Sequence, residues 1–95
     1  MIVTTGYKTI IDHHIGKVSK VLVSGYLVNA LDHNFIVFKD GNEWNMTELK
    51  SGLRVAKAPT RRQAIVKGLK ACEDCKTSLD TLISRALEYQ ATFTN

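Results

Sequence analysis

Residues 35–71, FIVFKDGNEWNMTELKSGLRVAKAPTRRQAIVKGLKA, decide the fold class, because they read as three short strands feeding a capped helix. Phe35-Ile36-Val37-Phe38-Lys39 is an apolar, β-branched run suited to a central strand. Asp40-Gly41 follows at once. Asp-Gly between two such runs is a strong hairpin signal, since Gly accepts the positive φ that a tight turn demands. Residues 43–49 return, Ser51-Gly52 make a second turn, and residues 53–58 form the last strand. Period-two alternation puts Trp44 and Met46 on one face and Asn45 and Thr47 on the other. Pro59 closes the sheet, and Thr60 with Gln63 three residues on forms a capping box, so a helix begins there. Its inner face is predicted to be Ala64, Ile65, Gly68, Leu69 and Cys72, and its outer face Arg62, Lys67 and Lys70.

Towards the N-terminus, Ile11, Ile15, Val18 and Leu22 recur at helical spacing, with Gly25 where a left-handed C-terminal cap belongs, which predicts a helix. Val21-Leu22-Val23 also has strand propensity, and a hairpin over residues 8–24 is the competing reading. Residues 26–29 suit a short strand, and Leu31-Asp32-His33-Asn34 a connection. Towards the C-terminus, Leu79, Leu82, Ile83, Ala86 and Leu87 define another amphipathic helix. One helix of about 32 residues would be about 48 Å long. That is too long for so small a globule without dimerisation, and Thr77 with Asp80 offers a second cap. The prediction is therefore an α+β fold in a single domain over residues 1–95: an N-terminal helix, a small antiparallel meander within residues 26–58, and two C-terminal helices.

Ninety-five residues suffice for one modest core without disulfides or metal. No apolar run approaches a membrane span, and MIVTTGYKTIID lacks the basic start and apolar centre of a signal peptide, which predicts a cytoplasmic protein. Charge is unevenly placed. Between Lys50 and Lys76 lie eight basic residues against Glu73 and Asp74, a local surplus of six, whereas the whole chain carries +4. Such asymmetry points to a polyanionic or acidic partner, because clustered Lys and Arg release counterions from phosphates. The plainer reading is a solvated helix face.

Chemistry-bearing motifs are sparse. Cys72-Glu73-Asp74-Cys75 is a lone CxxC without the two further ligands of a structural zinc site, so Cys72 reads as core and Cys75 as an incidental thiol. His13-His14 point about 100° apart on a helix and cannot both hold one ion. Trp44 reads as core beneath a helix, with Phe35, Val37 and Met46 for neighbours. No catalytic set, metal site or cofactor is predicted. The expected binding surface is Asn45, Thr47 and Arg54 on the sheet face away from the helix, together with Lys57, Arg61, Arg62, Lys67 and Lys70.

The order strand, strand, strand, capped helix, with WNMTEL, KSGLRV and TRRQAI, resembles the arm-type DNA-binding domain of tyrosine integrases over residues 35–71. In that family the sheet enters the groove and the helix packs behind. The whole chain, through its W-x-x-T-E-x-x-x-G-L-x-x-A-x-x-x-T-R-x-x-A-I run, is similar in type to small accessory proteins of bacteriophages and mobile elements, among them anti-CRISPR inhibitors. The second resemblance implies a non-enzymatic, monomeric or homodimeric protein that binds a host protein or nucleoprotein complex in the bacterial cytoplasm. The first implies DNA or RNA as the partner.

Overall fold

The computed structural model describes residues 2–93. A five-stranded antiparallel sheet runs in simple meander order, β1 (Ile2–Asp12), β2 (Lys17–Ala30), β3 (His33–Asp40), β4 (Glu43–Glu48) and β5 (Arg54–Ala58). Two helices follow, α1 (Arg61–Asp74) and α2 (Leu79–Ala91). The α+β class and the two C-terminal helices agree with expectation. No helix among the described residues is long and apolar enough to cross a membrane.

The N-terminal helix is not formed. Its proposed stripe is divided between two strands and their turn: Ile11 and Val18 face each other across the β1–β2 ladder, while Ile15 sits exposed in the turn and Leu22 exposed on β2. The competing hairpin is what forms, and it is longer than residues 8–24. The physical reason lies in the flanks, where Ile2, Val3, Thr4, Thr5, Tyr7, Thr9, Ile10 and Ile11 form an eleven-residue run of β-branched and aromatic character. Gly16, at φ +62°, serves the turn.

The β3–β5 meander is as predicted, with Gly41 at φ +65° in the β3–β4 turn and Gly52 at φ +75° in the β4–β5 turn. The two-residue β2–β3 turn takes positive φ at both Leu31 (51°) and Asp32 (64°), the conformation a tight hairpin requires. The β4–β5 turn is held by Glu48, a buried carboxylate that accepts from the Ser51 amide and hydroxyl, each at 2.7 Å, and from the Lys50 amide at 2.8 Å. Ser51 Oγ in turn accepts from the Leu53 amide at 3.1 Å.

One face of the sheet carries Phe35, Val37, Met46, Ala56 and Ala58, which pack against Ala64, Gly68 and Cys72 of α1 and Leu79 and Ile83 of α2. Trp44 lies on this side as expected, half-buried at the margin of the core rather than within it. Thr60 caps α1, its Oγ1 accepting from the Gln63 amide at 3.2 Å. Small residues let α1 sit close: a Cβ on Gly68 would land 2.2 Å from the Met46 sulfur. Leu69, expected on the inner face, is exposed. The α2 N-cap is Ser78, not Thr77, and the Asp80 side chain, in the first turn of α2, meets His33 instead of capping.

The other face is also covered. Ile36 and Phe38 are buried there, beneath β1. β2 pairs with β3 only from Tyr26 to Ala30, and its first half pairs with β1 alone. At Gly25, where a Cβ would stand 2.3 Å from the Val37 carbonyl oxygen, the β1–β2 ribbon leaves the sheet plane. It then folds back so that Gly6 meets Leu49 and Ile36, and Thr9 meets Gly52. Its tip reaches the C-terminal end of α2, where the His13 ring lies 6.2 Å from that of Tyr89 and 5.8 Å from that of Phe93 just beyond the helix, and Lys20 Nζ donates to Gln90 Oε1 at 3.4 Å.

Candidate partner-binding surface

The ribbon divides the expected binding surface in two. Asn45 and Thr47, predicted to project into a groove, are 5% and 3% exposed, because β1 crosses the face on which they lie. They cannot project into the groove of a duplex from there. The sequence reading treated the meander as an open sheet, and only the long-range return of β1 closes it. Arg54 stays exposed on this side, at the rim of a cleft it shares with Lys8.

The remaining basic residues lie along β5 and α1, and several are already engaged. Lys57 Nζ stands 3.3 Å from Glu43 Oε1, and Lys70 Nζ 3.4 Å from Asp74 Oδ2. These exposed pairs contribute about 0–1 kcal/mol each and do not lock the side chains. The Arg61 guanidinium stacks 4.4 Å above the Tyr26 ring, which ties the start of α1 to β2 and gives Arg61 a structural task. Lys67 Nζ donates to the Lys57 carbonyl at 3.2 Å. Arg62 has no ion pair or hydrogen bond among the described residues.

Arg62 and Lys67 flank a groove of about 430 Å³ whose other walls are Ala58, Pro59, Gln63 and Val66. Val66 is 60% exposed although apolar. The groove thus has an apolar floor between two cations, at the edge where β5, the last strand of the sheet, meets α1. An acidic segment with an apolar side chain between its charges would suit it. A bare phosphate backbone would use the cations and leave Val66 in water. Sequence reasoning found the cations but missed Val66, since one apolar residue on a charged helix face carries no signal.

Two further features were not legible in the sequence. A cleft of about 620 Å³ lies between the β2–β3 turn, the β4–β5 turn and α2. There His33 Nε2 stands 2.6 Å from Asp80 Oδ1. The Asp80 side chain is 91% exposed, and Ser84 in the same cleft makes no hydrogen bond to His33, so the pair does not extend to a nucleophile. Forty-seven positions separate its members. Secondly, Asn45 Oδ1 is buried without a partner among the described residues, an arrangement that costs about 1–3 kcal/mol when nothing satisfies it.

The CxxC thiols are both free, Cys72 buried and Cys75 half-buried with its Sγ donating to the Ala71 carbonyl at 2.9 Å. Burial, and secondarily Cys75, pushes the Cys72 thiol above its ordinary value. Among the described residues no group of three or more His, Cys, Asp or Glu side chains gathers in metal-binding geometry. No family model, curated protein or solved structure matches the chain.

Proposed function

We propose that the chain is a non-enzymatic binding protein, an accessory factor of phage or mobile-element type, that modulates a host nucleic-acid-handling or defence complex by docking on an acidic segment of a host protein. The docking surface is the groove between β5 and α1, with Arg62 and Lys67 as its charged rims. The observation that carries this reading is the exposed Val66 between two cations, a combination matched by an acidic-apolar peptide and wasted on a polynucleotide. The phage-type attribution rests on the resemblance of the W-x-x-T-E to T-R-x-x-A-I run alone.

The alternative is sequence-tolerant DNA or RNA binding through the meander and the basic helix. Burial of Asn45 and Thr47 weighs against it, because groove readout through the sheet would have to displace β1. Affinity capture from host lysate, with and without nuclease, separates the two. The protein-partner reading expects a captured partner that survives nuclease and is lost with Arg62→Glu and Lys67→Glu together. Capture abolished by nuclease alone would overturn it.

A further inference from the structure

We propose that the cleft between β1 and the helix-free face of the sheet is a binding site for a guanine nucleotide. This cleft encloses about 380 Å³ and is lined by, among others, Lys8, Asp40, Asn45, Thr47 and Arg54. That volume falls within the roughly 300–1,000 Å³ typical of small-molecule sites. It lies across the sheet from the α1 groove and does not depend on the function assigned there.

The argument starts from the orphan oxygen. Asn45 Nδ2 donates to Asp40 Oδ2 at 3.4 Å, and since a carboxylate oxygen accepts, the amide cannot be reversed without losing that bond. Its Oδ1 therefore stays in place, nine-tenths and more buried and without a donor. A ligand that engages this oxygen must bring a hydrogen-bond donor to it. Asp40 supplies a second acceptor beside the first. Among the bases, guanine presents two adjacent donors, N1–H and the N2 amino group, next to the O6 acceptor. The Lys8 ammonium and the Thr47 hydroxyl, which line the same cleft, can serve O6. Arg54, exposed at the rim and without an ion pair among the described residues, offers a guanidinium to the phosphate.

Access requires one movement. Bulk water does not reach Oδ1, so the cleft must open for the base to enter, and Lys8, a lining side chain held to Asp40 by an ion pair at 3.2 Å, would exchange that pair for O6. The same chemistry is available from a free mononucleotide or from a guanine in a single strand.

The test is calorimetric titration of the intact chain with GMP, IMP and UMP, and with a short single strand carrying one guanine, alongside amide proton–nitrogen spectra. GMP should bind saturably and shift the amides of Lys8, Asn45, Thr47 and Arg54. IMP, which lacks the N2 amino group, should bind about tenfold more weakly, as expected for one lost hydrogen bond, and UMP more weakly still. Tighter binding of the single strand than of GMP would assign the site to guanine within a polynucleotide, and the reverse to the free nucleotide. Arg54→Gln and Asn45→Ser should each weaken GMP by about tenfold. Arg54 is exposed, so its variant decides the matter should Asn45→Ser fail to fold. No saturable binding of either guanine ligand, equal affinity for GMP, IMP and UMP, shifts confined to other residues, or unchanged binding by Arg54→Gln would each overturn the proposal.

Discussion

Gly25 and Gly68 each stand hard against a neighbouring element, and they differ in what a methyl group would strike. At Gly25 it is the Val37 carbonyl, part of the ladder itself, whereas at Gly68 it is the flexible Met46 thioether. Gly25→Ala should therefore destabilise the fold by about 3 kcal/mol, and Gly68→Ala by about 1 kcal/mol or less, since Ala also improves helix propensity. Denaturant midpoints with unchanged slopes would check both values. A second residue-scale expectation concerns pH. Because the Cys72 thiol is raised above 9.0 in the folded chain, the native state holds its proton longer than the unfolded state. Its contribution is fully present below pH about 9 and is lost as pH rises from there towards the raised value. Melting curves across this range should fall in the wild type and flatten in Cys72→Ala. Gly68 was legible as a small residue on the inner face of α1, whereas Gly25 was not. Gly25 suits a helix cap as well as a strand that must bend against its neighbour, and only the Val37 carbonyl distinguishes the two.

At the scale of elements, residues 35–71 could be read almost residue by residue because each signal there is local. The β3–β4 turn lies in Gly41, and the α1 start lies in Thr60 and Gln63. Thr60→Ala should cost about 1 kcal/mol, measured by chemical denaturation, with helix content retained. The N-terminal ribbon was misread because Ile11, Ile15, Val18 and Leu22 satisfy a helical stripe, while the strand evidence is spread over the whole run from Ile2 to Asp12. Propensity summed over that run outweighs four apolar positions. Asp80 shows the same limit in reverse: as a local cap it belonged with Thr77, but it is drawn to His33 on a distant strand.

For the whole molecule, the surplus of positive charge between Lys50 and Lys76 and its division between sheet and helix were visible at once, but the stacking of Arg61 and the covering of the sheet face by β1 were not. Arg54 falls on one side of the sheet, Arg62 and Lys67 on the other, and Arg61 is stacked on Tyr26. What covers the sheet face is the return of β1, a contact between segments some thirty positions and more apart, exemplified by Lys8 and Asp40. The central claim is that the Arg62–Lys67 groove takes an acidic protein segment and not a polynucleotide. Fluorescence anisotropy of labelled duplex and single strand, both free of guanine so that only the α1 groove is tested, titrated with wild type and with Arg62→Ala, Lys67→Ala and Lys70→Ala combined, over several salt concentrations, tests it most directly. The account predicts only weak binding of either strand form at low salt, with the same slope of log affinity against log salt in both proteins. Tight wild-type binding, with a slope that the triple variant flattens by about two to three units, would show that these cations meet phosphates and would contradict it.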